Sequence, residues 1–340
     1  MRARFETRDH DRPQDGAGSD ASEAGTVAQE VSLRDRYRIL VVQNSVSVPP
    51  ALMNIFLNNA QELRSGWKFA VYAVLFLIIW VASGIAISMV YAKSNLPESQ
   101  LTFLCLNELA LLVPAIAAML LAVRFLDRRP LQVFGVGFLP HWQRDLGLGL
   151  ALASLMLTTL VAGCYAFGYV SIHWTGTQAP GSTLLATFGL ILIAAVSEEL
   201  VFRGFPLQIL VEGMGQWPAV ITMSLIFGAM HLNNPNASLL GWVNTVLAGV
   251  LLSIAYIRAR SLWLPYGIHV GWNIGIGFVL GFPLSGLDLA SLWTTGIAGS
   301  ETILGGGYGP EGGLLATFIF ASSALIVQRR VHCRGGSIKV

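Results

Sequence analysis

The sequence predicts an all-α fold: a polytopic transmembrane helix bundle of about eight spans. Composition is the first reason. Of 340 residues, 54% are hydrophobic and 12% charged, with a mean hydropathy of +0.62, whereas a soluble domain carries about a quarter charged residues. The second reason is segmentation, because apolar runs recur near the ~20 residues that cross a bilayer. The third is the placement of positive charge, which concentrates on every other connection between those runs.

Residues 1–51 read as a disordered or weakly ordered tail. Arg, Asp, Glu, Gly and Ser dominate its first part, and large apolar residues are few. It is too polar and acidic for a signal peptide. Residues 52–68 read as an interfacial amphipathic segment, in which Leu52-Met-Asn-Ile-Phe-Leu57 leads to an aromatic and basic anchor at Trp67 and Lys68. The bundle is expected over 69–330. Its spans are 69–91, 101–123, 146–170, 182–204, 217–231, 239–257, 262–280 and 312–328, the fifth and eighth being short. The Gly-rich connection 281–311 reads as an exposed, mobile loop without assignable structure. Residues 331–340 form a second tail.

Arg and Lys precede the first span and follow the second (Arg124, Arg128, Arg129, Arg144). They also separate the sixth from the seventh (Arg258, Arg260) and follow the eighth (Arg329, Arg330, Arg334, Lys339), while the opposite connections hold Lys93. Positive residues stay cytoplasmic, so the pattern predicts an even number of spans with both termini in the cytoplasm. A net charge of +2 says little about partners, and no nucleic acid is expected among them. Cys105 and Cys164 lie in apolar helices and Cys333 in the basic tail, without disulfide or metal spacing. No internal repeat suggests a transporter built from two similar halves.

Three polar clusters interrupt the apolar spans: Glu198-Glu199-Leu-Val-Phe-Arg203, Phe227-Gly-Ala-Met-His231 and His269-Val-Gly-Trp-Asn273. An ionisable side chain in hydrocarbon costs roughly 2.5–3.5 kcal/mol on insertion scales, so such residues mark a functional interior. Glu198 and Glu199 point about 100° apart on a helix and cannot do one job. Glu199 and Arg203, four apart in the favourable order, form an expected ion pair. That leaves Glu198 to face a cavity as a general base. His231 ends its run one turn after Phe227, and His269 and Asn273 share a helix face.

Each cluster alone has a plainer reading: charges snorkelling beside Gly204 and Pro206, a satisfied interhelical histidine, a polar seam. Together they supply a base, a water-positioning group and an oxyanion donor, the parts of a hydrolase inside a membrane. At a rise of ~1.5 Å per residue, Glu198 lies ~9 Å, His269 ~10 Å and Asn273 ~16 Å from the cytoplasmic end of their helices, with His231 at ~21 Å as the floor of a shared cavity. Asn107 and Glu108 in the second span and Asn244 in the sixth read as structural.

In this order the three motifs resemble those of the CAAX-protease and bacteriocin-processing family (CPBP, or Abi) of intramembrane endopeptidases, which includes the type II CAAX prenyl protease. The motif likeness covers about 182–280. The run from Gly249 to His269 and the entry to the first span, Ile55 through Trp67, extend it more weakly. By this resemblance Glu198 matches the catalytic glutamate, Glu199 and Arg203 its supporting pair, His231 the water-holding histidine, and His269 with Asn273 the oxyanion side. Phe227 is the aromatic member of the second motif.

The resemblance implies a metal-free, glutamate-dependent endopeptidase with no cofactor; the hydropathy, charge placement and helix depths make it multi-pass in the lipid bilayer and open toward the cytoplasm. It would hydrolyse a peptide bond of a membrane-associated protein or peptide, prenylated for some members. Two other readings stand beside it. His231, His269 and Glu198 would be the three protein ligands of a zinc peptidase. A non-catalytic scaffold or immunity protein would also carry ionisable residues at mid-membrane. Substrate identity and oligomeric state are not written in the sequence.

Overall fold

The long apolar runs become helices because a backbone surrounded by lipid must satisfy its own hydrogen bonds. The computed structural model describes residues 55–58, 60–94, 96–166, 168–173 and 179–331. The tail expected at 1–51, residues 52–54 of the interfacial segment, and 332–340 with Cys333 lie outside the described residues. The chain divides into two units, Met1–Phe56 and Leu57–Val340, and all the polar clusters fall in the second. Its helices are α1 (Ser65–Ala92), α2 (Gln100–Ala122, prolonged by a π-helical turn Val123–Asp127), α3 (Trp142–Ala166) and α4 (Gly181–Phe202). There follow α5 (Phe205–Met214), α6 (Gln216–Met230), α7 (Leu239–Ala259), α8 (Trp263–Asn273, prolonged by a π-helical turn Ile274–Val279) and α9 (Leu314–Arg330).

Among the described residues, five stretches are long and apolar enough to cross a membrane: α1, α2 with its π turn, α3, α4 continued by α5, and α7. α1 exposes Val74, Ile78, Val81 and Ile85, a wall suited to lipid rather than water. α5 lies where the hydropathy pattern predicts a connection between the fourth and fifth spans. Gly204 breaks α4, and Pro206 restarts a helix in its first turn, where its missing N–H costs nothing. The third expected span also ends early. Beyond Ala166 the chain turns into β1 (Val170–His173), which pairs antiparallel with β2 (Thr294–Ile297) in the register Val170↔Ile297.

Polar contacts gather at two opposite ends. At one, Lys68 Nζ meets Asp127 Oδ2 at 3.1 Å, and Arg129 bonds both Asp127 and, at 2.8 Å through each terminal nitrogen, Glu212. Trp263 Nε1 donates to Gly137 O at 2.7 Å and Arg258 Nε to Val331 O at 2.6 Å. At the other end, Asn234 Nδ2 donates to Ser285 O at 3.1 Å and Asn236 Nδ2 to Gly307 O at 3.2 Å, beside the β1–β2 pair. The starts of α1, α3 and α8 and the ends of α2, α5, α7 and α9 share the first end, so successive long elements run antiparallel.

The connection 281–311 is folded, contrary to the expectation of an unstructured loop. Phe282, Leu304 and Tyr308 are buried in it. Leu292 N and Trp293 N bond the carbonyls of Phe278 and Val279. Its glycines permit close approach: a Cβ on Gly286, whose φ is +87°, would lie 1.9 Å from Pro235 O. A high glycine content therefore marks tight docking of this segment against the turn after α6, and the composition alone misleads.

Candidate active site

The placement of α8 begins with glycines four apart, Gly267, Gly271 and Gly275, a spacing that lets helices touch backbone to backbone. A Cβ on Gly267 would lie 2.6 Å from Leu146 O, and one on Gly149 only 2.5 Å from Leu264 O. α3 and α8 therefore meet without intervening side chains. His269, two residues or about 200° beyond Gly267, is turned away from α3. It reaches α4, where its Nδ1 lies 2.9 Å from Glu199 Oε1 and its Nε2 lies 3.7 Å from Glu198 Oε2.

The two adjacent glutamates have different surroundings. Glu199 is 1% exposed and joins Arg203 Nη1 through Oε1 at 3.2 Å. Glu198 is 19% exposed, and its Oε2 receives no hydrogen bond from the described residues. Arg203 is fully buried. Its guanidinium carbon lies 4.4 Å from the Phe227 ring centre and 5.6 Å from that of Phe202, which adds cation–π attraction to a single ion pair.

Phe227 is the plate between the imidazoles, 4.7 Å from the His231 ring and 6.4 Å edge-on from that of His269. His231 caps α6 and bonds Phe227 O through Nδ1 at 2.8 Å. A carbonyl only accepts, so the proton sits on Nδ1 and Nε2 is left as an acceptor. The same reasoning at Glu199 places a proton on Nδ1 of His269 and turns its Nε2 toward Glu198.

A cavity of about 800 Å³ is lined by Glu198, Phe227, His231, His269 and Asn273 together. Glu199 and Arg203 are not in its wall; they stand behind it. Other polar residues outside the three clusters also line it, among them Glu108, Asn234, Ser285 and Glu311. Glu108 shares one α2 face with Leu104 and Leu111, and its position mid-helix was a visible signal read as structural. Nothing local distinguishes Glu311 within its glycine-rich surroundings. Asn244 bonds across to the segment before α9, with Nδ2 on Glu311 O and Gly313 O at 2.7 and 2.8 Å. Among the described residues no group of three His, Cys, Asp or Glu side chains is placed to hold a metal ion.

Residues 180–275 match the family model described as type II CAAX prenyl endopeptidase Rce1-like. This segment is similar to the Rce1-like family of type II CAAX prenyl endopeptidases. It runs from the start of α4 through α8 and contains all three polar clusters and the Glu198–His269–Glu199 arrangement. The helices α1, α2, α3 and α9 and the folded connection lie outside the Rce1-like match, although α1, α2 and that connection contribute walls of the same cavity. A search of curated proteins finds none that matches the chain.

Proposed function

We propose that the chain is an intramembrane endopeptidase that hydrolyses a peptide bond of a membrane-associated protein or peptide, with Glu198 as the base. The observation that carries this reading is the division of labour between neighbouring glutamates. Glu199 is occupied by Arg203 and His269, whereas Glu198 faces the cavity opposite His269 Nε2 at 3.7 Å. A base must be free to take a proton, and Glu198 is the carboxylate so placed.

In this mechanism a water donates one hydrogen to Glu198 and is held by the accepting Nε2 of His231. As Glu198 removes the proton, the oxygen bonds to the scissile carbonyl carbon. Asn273 donates its amide hydrogens to the developing oxyanion. His269 joins it as a donor only when Nε2 also carries a proton, because Glu199 holds the first at Nδ1. Collapse breaks the C–N bond, and Glu198 passes its proton to the leaving amine. The products are a carboxylic acid and an amine, and Glu198 ends as it began.

The same cavity is also lined by the apolar or aromatic side chains Phe69, Tyr72, Phe76 and Trp80 of α1. Such a surface suits a lipid-like group on the substrate, in keeping with the prenyl endopeptidases named by the family match. The positive-inside rule supports a cytoplasmic position for the Lys68–Arg129 end and both termini.

The test uses the purified full chain in lipid nanodiscs and a fluorogenic peptide carrying farnesyl-cysteine. The wild type should cleave it, Glu198→Gln should bind it with turnover lowered by about 10²–10⁴, and 1,10-phenanthroline should have no effect. Wild-type turnover by Glu198→Gln would remove Glu198 as the base. Loss of activity on chelation, restored by zinc, would establish the zinc reading through His231, His269 and Glu198. A cellular function that survives Glu198→Ala would favour a scaffold.

A further inference from the structure

We propose that Glu311, in the segment between α8 and α9, is a positioning residue that sets the His231 side and the Asn273 side of the cavity in register. The proposal rests on the peptidase reading for its effect on turnover, and on the geometry alone for its effect on structure. Glu311 lies outside the Rce1-like segment and is remote in sequence from every polar cluster.

Its carboxylate is shared between two elements. Oε1 accepts from Trp272 Nε1 at 2.8 Å, and Trp272 is the residue before Asn273 on α8. Oε2 accepts from both Ser285 N and Ser285 Oγ at 2.7 Å. Ser285 in turn offers its carbonyl to Asn234 Nδ2 at 3.1 Å, three residues beyond His231. One carboxylate therefore ties the helix of His269 and Asn273 to the turn that follows His231.

Two further observations show that Glu311 is built into place. Its backbone carbonyl is held by Asn244 of α7 at 2.7 Å, and Asn244 Oδ1 is itself fixed by Thr317 of α9 at 2.6 Å. Ser285 keeps a left-handed backbone, φ +47°, a conformation costly for a residue with a side chain. The two hydrogen bonds to Glu311 offset that cost, and a charged acceptor makes them stronger than neutral ones. Both oxygens of Glu311 are engaged, so the geometry gives it a positioning role and leaves Glu198 as the base.

Glutamine at this position offers one accepting oxygen and one donating nitrogen, so it cannot serve Trp272 and Ser285 together. The experiment compares Glu311→Gln, Glu311→Ala, Trp272→Phe and Ser285→Ala with wild type, each as the full chain in nanodiscs. Hydrogen exchange is followed by mass spectrometry, and kcat and KM are measured on the farnesyl-cysteine peptide.

Both Glu311 variants should exchange faster in 229–236 and in 268–275, with kcat lowered by about 10²-fold, the effect of a misplacement near 1 Å, and KM within about threefold. Trp272→Phe should loosen only the second window and Ser285→Ala only the first. If the Glu311 variants do not fold, these two carry the test. Faster exchange confined to 281–313 with unchanged kcat would overturn the proposal, as would loosening spread evenly over all helices. If the wild type cleaves nothing while both windows respond, the positioning tie stands and the peptidase reading falls.

Discussion

Arg203 is a fully buried cation behind the cavity wall. It neutralises Glu199, and it lies against the ring of Phe227. Removing one partner of a buried ion pair costs roughly 3–5 kcal/mol. Arg203→Ala should therefore lower folded yield and thermal stability by that order, with Glu199→Gln milder because it leaves a neutral acceptor. Arg203→Lys should not restore the wild type, since an ammonium lacks the planar spread that meets both carboxylate and ring. Scanning fluorimetry of purified variants tests this, and wild-type melting of Arg203→Ala would show the pair to be dispensable. A second residue-scale expectation separates roles around the cavity. In the proposed mechanism Asn273→Ala removes a transition-state donor, so single-turnover cleavage should slow about 10²–10³ with little change in binding. His231→Ala loses the accepting Nε2 and should resemble Glu198→Gln instead. Equal, small effects from both would contradict the assigned chemistry.

At the scale of elements, the α3–α8 contact decides where His269 sits. Gly267 meets the backbone of α3, and a methyl group there has no flexible side chain to displace. Gly267→Ala should force the helices apart, costing about 1–3 kcal/mol as overpacking and lowering turnover with it. Gly189 on α4 is the control, because a Cβ there meets nothing within 4 Å. Gly189→Ala should be neutral or stabilising by up to ~1 kcal/mol through helix propensity. A melting curve for Gly267→Ala that matches that of Gly189→Ala would refute the close contact. The spans were legible because long apolar runs have one structural solution in lipid. The missed elements are the short α5 and β1–β2 pair and the folded connection 281–311. Their structure comes from contacts made at the ends of the bundle, such as Trp293 N on Val279 O and Gly286 N on Tyr308 O, and no local pattern announces such contacts.

For the whole molecule, the expectation concerns sidedness. Reporter tags at residue 20, after Arg260 and after Val340 should all report the cytoplasm, and a tag within 305–309 should report the opposite side. Positive residues mark alternate connections, and two of them, Lys68 and Arg129, meet Asp127 and Glu212 at one end of the bundle. Tags at residue 20 and after Val340 on opposite sides would require an odd number of crossings.

The sequence by itself determined that this is a helical membrane protein. It also singled out Glu198, Glu199, Arg203, His231, His269 and Asn273 as the polar residues to watch, with Phe227 beside them. That much is local, because ionisable groups in apolar helices stand out against their surroundings whatever the helices pack against. Tertiary structure decided which partner each group has. Spacing paired Glu199 with Arg203, but only the approach of α8 to α4 brings His269 between Glu198 and Glu199. Likewise only the folding of 281–313 over the turn after α6 brings Glu311 to Trp272 and Ser285. The physical reason is range. Helix formation and insertion depend on neighbours within a few turns, whereas a hydrogen bond between residues 26 or 39 apart exists only once the helices that carry them are in place.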